Sequence, residues 1–309
     1  MEDLRVGFIT MAFGADRYFR QAESLARSLR RHMPGHRIAI VTDRQDVGEL
    51  FDTRVSINPS EIAGTLMKAD LYYYSPFEET FFIDADSIVA RPFHEELSQI
   101  RKYDFSPIVT RFLSEGDTDI WIGNVGEAIR LLDGTPFPKF NGGVYFYRRS
   151  DFAEKVFSTA HSINGRRNEL GIRDFDQSGP GEETLIGLAL SHLRATDFYD
   201  DGGRLMRTPL NSHGPIHLDV ITGCCHFVKE GRQVSPAICH FCGPWSDHPA
   251  YVVAQEELLA GYRISRRRKA YLWMRYTAKR LKARVLRKIG NIFASPEPQE
   301  TWQTRIRRF

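Results

Sequence analysis

The hydrophobic positions of this chain recur with two periods. Residues 6–10, Val-Gly-Phe-Ile-Thr, read as one buried strand. Beyond Asp16, Tyr18, Ala22, Leu25 and Leu29 recur at three and four, with Arg20, Arg27 and Arg31 between them. That spacing predicts an amphipathic helix, capped by Asp16 and ended by Pro34-Gly35. Segments 37–42 and 53–57 read as further strands. Segment 60–74 predicts a helix with Ile62, Leu66, Ala69 and Tyr73 on one face and Lys68 and Tyr72 on another. Segment 80–83 predicts a fourth strand. This alternation predicts an α/β fold with a mixed, mostly parallel central sheet flanked by helices.

Farther along, Asn141-Gly142-Gly143 precedes a strand pattern at 144–147. Residues 150–160 look helical. Gly179-Pro180-Gly181 breaks the chain before a helix over 182–192, and strand-like pieces follow at 216–222 and 237–241. From Arg263 the texture changes. Met274, Ala278, Leu281, Val285, Ile289 and Ile292 recur at helical spacing among Lys and Arg, which predicts a C-terminal basic amphipathic helix. The expected organisation is one domain over 1–262, the basic helix over 263–293 and a loosely ordered tail over 294–309.

With 309 residues, 42% of them hydrophobic and 26% charged, the chain can bury a large core and has the composition of a globular protein. Its opening residues run straight into a strand pattern with no basic-then-apolar leader, and no apolar run is long enough to span a bilayer, so a cytosolic setting is expected. Cys239-x-x-Cys242 lies near adjacent Cys224-Cys225, which is not the usual pairing of zinc ligands, so buried free thiols are expected. The net charge of +3 hides an asymmetry. Residues 263–309 carry 15 Lys/Arg and two acids, so the preceding body is net acidic. A basic tail on an acidic body implies an anionic partner for the tail.

The chemistry concentrates at Thr80-Phe-Phe-Ile-Asp84-Ala-Asp86-Ser-Ile-Val89. A buried strand ends there in two acids one residue apart, at the sheet edge where open α/β sheets bind ligands. A solvated turn would not be wedged between two apolar runs. Two carboxylates so close repel each other and call for protons or a cation. A divalent metal that also takes substrate phosphates suits them.

Four segments, in order, resemble the family 8 retaining glycosyltransferases. They are Phe8-Ile-Thr10 with Tyr18, Ala22, Leu25 and Ser28-Leu29; Phe82-Ile-Asp84-Ala-Asp86; Phe140-Asn141-Gly142-Gly143-Val144; and Cys239-His240-Phe241-Cys242-Gly243-Pro244-Trp245. They cover roughly residues 5–245. The resemblance implies a GT-A type fold and a metal site of Asp84, Asp86 and His240, holding Mn2+ or Mg2+. It implies that Thr10, Met11 and Tyr18 line a base and ribose pocket, that Lys68 meets phosphate, and that Asn141, Gly142, Gly143 and Trp245 contact substrate. The family's acidic D-Q-D element is represented here by Glu182-Glu183, which would serve the sugar near the reacting carbon. Structural alternatives stand beside these roles. Tyr18 also fits the core stripe of its helix, Lys68 an exposed helix face, Asn141-Gly142 a turn, His240 a strand end, and the Glu pair the first turn of a helix. The family's lysine between the terminal His and Trp is absent here, leaving phosphate to Lys229, Arg263 or a tail arginine.

The expected activity is transfer of a sugar from a nucleotide-diphosphate sugar, a UDP-sugar for preference, to a glycan or glycolipid at the inner face of the membrane, held by residues 263–293 on anionic lipid. A nucleotidyltransferase shares the acidic pair but favours a basic glycine-rich loop after the first strand, which Met11-Ala-Phe-Gly-Ala lacks. A non-catalytic binding protein is the other alternative. The body offers no second basic surface for nucleic acid.

Overall fold

The structure, a computed structural model, describes residues 5–58, 64–175, 177 and 179–293. In chain order the elements are β1 (Val6–Met11), α1 (Asp16–His32), β2 (Arg37–Thr42), β3 (Thr53–Ser56), a 3-10 helix (Gly64–Asp70) running into α2 (Leu71–Tyr74), β4 (Glu79–Ile83), β5 (Ser87–Val89) and α3 (His94–Ile100). There follow β6 (Phe105–Leu113), α4 (Val125–Leu131), β7 (Phe137–Arg148), α5 (Asp151–Gly165), α6 (Glu182–His192), β8 (Met206–Arg207), β9 (Ser212–Asp219), β10 (Cys224–Lys229), β11 (Arg232–Val234) and β12 (Ile238–His240). A short 3-10 helix (Gly243–Asp247), α7 (Pro249–Ala260) and α8 (Arg266–Phe293) complete the described residues.

Two compact units result. The first comprises Met1–Ala22, Met33–Ala85 and Phe93–Gly202; the second comprises Glu23–His32, Asp86–Pro92 and Gly203–Phe309. The first is built on a six-stranded sheet of order β3-β2-β1-β4-β7-β6. β3, β2, β1 and β4 are parallel, and β7 runs antiparallel to both β4 and β6. Its core stacks aromatic rings of three elements, Phe105, Tyr145, Tyr147 and Phe157, all essentially buried. Side-chain caps start two of its helices: Asn124 Oδ1 accepts from Glu127 N–H ahead of α4, and Ser150 Oγ accepts from Ala153 N–H ahead of α5. The mixed, mostly parallel α/β sheet is the one expected.

The second unit holds two three-stranded sheets, β11-β10-β9 and β5-β12-β8. Here the rear half of α1 meets the β9–β10 hairpin. His32 Nε2 lies 2.9 Å from the Val220 carbonyl, and Arg31 donates to Ile221 O. Ser28 Oγ accepts from Val89 N–H, fixing β5. The first turns of α8 are pinned to α7 by Arg268–Glu256 and Lys269–Glu257, and to the preceding 3-10 helix by Lys279–Asp247.

Several local expectations change. The helix expected over 60–74 is a 3-10 turn over Gly64–Asp70 followed by one α-turn; residues 60–63 lie outside the described residues. Asn141-Gly142-Gly143 does not precede its strand but lies inside β7, because neither glycine adopts a positive φ and the ladder with β6 resumes beyond it at Phe140. Tyr18 is not in the core stripe of α1, being 40% exposed, whereas Ala22, Leu25 and Leu29 are buried. β6 escaped notice because Pro107 and an exposed polar stretch interrupt its pattern, which an edge strand tolerates.

Gly7 is demanded by packing. A Cβ there would meet the Phe77 ring at 2.4 Å, in the middle of β1. Gly7→Ala is expected to destabilise the protein by about 1–3 kcal/mol, as overpacked core sites do. Chemical denaturation followed by tryptophan fluorescence checks this, and an unchanged midpoint would contradict it.

Candidate functional site

In the first unit, β4 carries its chain to Asp84. The backbone N–H of Asp84 donates to Gly143 O at 2.8 Å, one step beyond the Ile83–Val144 pair. Lys68 comes from the 3-10 helix with its side chain only 13% exposed, so it is no solvated helix lysine. Its Nζ lies 2.6 Å from Asp84 Oδ2 and 3.2 Å from Glu182 Oε1. Glu182 opens α6 and is buried. Burial pushes its carboxyl up to about 7 from an ordinary 4.5; Lys68 opposes this, while the charges of Asp84 and Glu183 add to it.

Glu183 is held differently. Its Oε2 accepts from the Gly142 N–H at 3.0 Å, and its Oε1 lies 3.5 Å from Lys139 Nζ. Lys139 also pairs with Asp119 Oδ2 at 3.0 Å, and the Asp119 side chain is only 2% exposed. Gly142 lets β7 and α6 come this close, since a Cβ there would lie 2.3 Å from Glu182 Oε1. Asn141 turns back on its own strand, its Oδ1 accepting from Gly143 N–H. Lys139 and Asp119 were not anticipated. Lys139 stands two residues before Asn141, but nothing in the spacing says that a lysine on β7 would find two acids.

At the C-terminal end of β1, Thr10 and Met11 are buried, and the Thr10 hydroxyl has no hydrogen-bond partner. Tyr18 receives a hydrogen bond from Arg17, whose guanidinium lies over the Tyr18 ring.

In the second unit, Asp86 precedes β5, and its carbonyl accepts from Phe241 N–H at 3.0 Å. β5 pairs with β12 so that Ser87 stands opposite His240. His240 is buried, with Nε2 2.9 Å from Asp86 Oδ1. Trp245 lies in the 3-10 helix beyond β12, its ring 5.3 Å from that of His248. The four cysteines are free, with Cys225 and Cys239 buried as expected. Lys229 donates to the carbonyls of Thr208 and Leu210, and Arg263 pairs with Asp219, so these two candidate phosphate binders are already engaged.

Asp84, Asp86 and His240 each offer a ligand atom, and these atoms lie within 4.8 Å of one another. The covalent chain keeps the two acids together across Ala85, and the β5–β12 ladder keeps His240 by Asp86. Two carboxylates and an imidazole suit a hard-to-intermediate divalent ion. Each acid here is balanced by a cation or an imidazole, Asp84 by Lys68 and Asp86 by His240. The residues fit such a metal.

Two solved structures of the galactosyltransferase LgtC share the fold. An active-site mutant of LgtC superposes with a TM-score of 0.50 at 16% identity, covering 84% of this chain and 97% of that one. LgtC in complex with donor and acceptor sugar analogues gives the same score and identity, over 86% and 99%. No family model matches the chain, and no curated protein matches it by sequence. The chain thus has the GT-A type fold of these enzymes, as the four segments implied.

The Glu182 carboxyl is expected to titrate near pH 7 in NMR of glutamate-labelled protein. Lys68→Met should move that midpoint higher, by removing the main opposing charge. Because the folded value lies above the unfolded one, Glu182 supports the fold fully below about 4.5, and that contribution is lost as pH rises through about 7. A midpoint in the ordinary carboxylate range would contradict the burial argument.

Proposed function

We propose that the chain is a divalent-metal-dependent glycosyltransferase. It moves a hexosyl group from a UDP-sugar to a glycan or glycolipid, with retention of configuration, at the cytoplasmic face of a membrane. The observation that carries this reading is the convergence of Asp84, Asp86 and His240 on a GT-A type fold. These three residues would hold Mn2+ or Mg2+, which when bound supplies charge to the departing diphosphate. Lys68, poised between Asp84 and Glu182, presents a point charge to phosphate. That role falls to it because the chain lacks the family's lysine between His240 and Trp245 and because Lys229 and Arg263 are engaged. The buried, unpartnered Thr10 hydroxyl suits a ligand contact at the end of β1, beside Met11 and the exposed Tyr18. Asn141, Gly142 and Gly143 on β7 face the donor sugar, with Glu182 and Glu183 as the acidic pair beside its reacting carbon and Trp245 on the substrate side of β12.

Residues 1–262 form the transferase domain in this reading, and 263–293 its membrane contact. Among the described residues no helix is long and apolar enough to cross a membrane. α8 instead exposes the described part of its apolar stripe: Met274 and Leu281 are more than 60% exposed and Val285 is about half exposed. The 263–293 segment carries 12 Lys/Arg and no acid. Each base near an anionic leaflet contributes on the order of 1 kcal/mol. The alternative, a stripe packed against the protein, is not what the exposures favour. Residues 294–309 of the expected tail lie outside the described residues.

A screen of UDP-, GDP- and CMP-sugars with manganese should show nucleoside-diphosphate release from a UDP-sugar. Asp86→Ala should lower it about a hundredfold or more, the scale of losing a charge-stabilising contact in the transition state. Pyrophosphate release from a nucleoside triphosphate and a sugar phosphate would instead indicate a nucleotidyltransferase. Equal turnover by a folded Asp86→Ala protein would sink the metal assignment.

The truncated chain ending at Tyr262 should no longer cosediment with anionic liposomes, yet should still act on a soluble acceptor. Unchanged cosedimentation, or equal binding to neutral lipid at high salt, would refute the electrostatic anchor.

A further inference from the structure

We infer that Lys139 is a positioning residue that clamps Glu183 in one orientation, so that a fixed carboxylate backed by buried Asp119 is offered to two hydroxyls of the transferred sugar. This rests on the reading of Glu182 and Glu183 as the sugar-facing pair.

The geometry is a chain of alternating charge. Asp119 Oδ1 accepts from Trp121 N–H at 2.8 Å, and Asp119 Oδ2 lies 3.0 Å from Lys139 Nζ. The same Nζ lies 3.5 Å from Glu183 Oε1, while Glu183 Oε2 takes the Gly142 N–H. A buried carboxylate left without its cation is costly, so Asp119 keeps Lys139 in place. The lysine backbone is pinned as well. It stands opposite Arg111 in the β6–β7 ladder, and Thr110 Oγ1 donates to its carbonyl. Lys139 therefore has little freedom, and Glu183 inherits that rigidity.

The consequence is chemical. A carboxylate has about four lone-pair positions on two oxygens and, once ionised, only accepts. The Gly142 N–H takes one position on Oε2, and the Lys139 ammonium faces Oε1 at 3.5 Å as a charge. A position stays open on each oxygen, which suits a pair of neighbouring hydroxyls and nothing that must itself accept. Glu182 is anchored otherwise, through Lys68, which it shares with Asp84. The two adjacent glutamates thus hang on separate cations, and a change at Lys139 should reach Glu183 while leaving the Asp84 side untouched.

The test uses the full-length, isotopically labelled protein with Lys139→Met, Lys139→Arg and the double variant Asp119→Asn/Lys139→Met. The double variant leaves neither charge buried alone, so it serves if the single change does not fold. The Gly142 amide proton, which donates to a carboxylate, should resonate downfield in the native protein. It should move upfield in Lys139→Met and the double variant, and return in Lys139→Arg. Turnover of the donor should fall about a hundredfold, as for a misplaced reacting partner, with UDP affinity in the presence of manganese unchanged and activity recovered by arginine. A Gly142 resonance unmoved in the double variant would overturn the clamp, as would native turnover in that variant. Parallel loss of UDP binding without rescue by arginine would reduce Lys139 to a fold-holding role and overturn it too. If the native protein released no nucleoside diphosphate from any donor, the transferase reading would fall on its own, and the Gly142 resonance would still decide the clamp.

Discussion

Like charges that cannot separate govern the first unit. Asp84 lies at the end of a buried strand, and Glu182 and Glu183 stand side by side at the start of α6. Their mutual repulsion in a poorly solvated place must be offset by cations, protons or backbone donors. The structure uses all three. Lys68 bridges Asp84 and Glu182, Lys139 and the Gly142 N–H hold Glu183, and burial lifts the Glu182 carboxyl to about 7, where it shares its time between the protonated and ionised forms at neutral pH. A fourth acid, Asp86 of the second unit, is matched by His240.

Those demands explain features that otherwise look arbitrary. β7 carries Gly142 in mid-strand, where glycine is ordinarily unfavourable, because a side chain there would strike Glu182. The segment before α2 is a tight 3-10 turn, and from it Lys68 reaches Asp84 and Glu182. Tyr145 lies buried on β7, its hydroxyl donating to the Lys68 carbonyl at 3.4 Å, so the strand that bears the glycines also supports the lysine. An arrangement that concentrates negative charge at the ends of strands is ready to accept a divalent ion, and a nucleotide diphosphate brings compensating charge of the opposite kind to that ion.

Much of this was legible in the sequence. Periodicity located β1, β2, β4, α5, α6 and α8, and the apolar flanks of Asp84-Ala-Asp86 marked it as a strand end. His240 could be linked to those acids only through resemblance, because 153 residues separate it from Ser87, its partner across the β5–β12 ladder. What escaped was set by tertiary context. Pro107 hid an edge strand, and two glycines in a strand read as a turn. α7 has no polar face to announce it, being buried along most of its length. The link from Asp119 to Lys139 to Glu183 joins three distant segments, and no local pattern encodes such a contact.

The central claim is that Asp84, Asp86 and His240 together bind a divalent ion. Crystals grown with manganese and UDP, measured at the manganese absorption edge, address it directly. The account predicts an anomalous peak within coordinating distance of both carboxylates and His240 Nε2, with Lys68 turned from Asp84 toward the diphosphate. A peak elsewhere in the protein, or none beside these three residues with UDP bound, would contradict it.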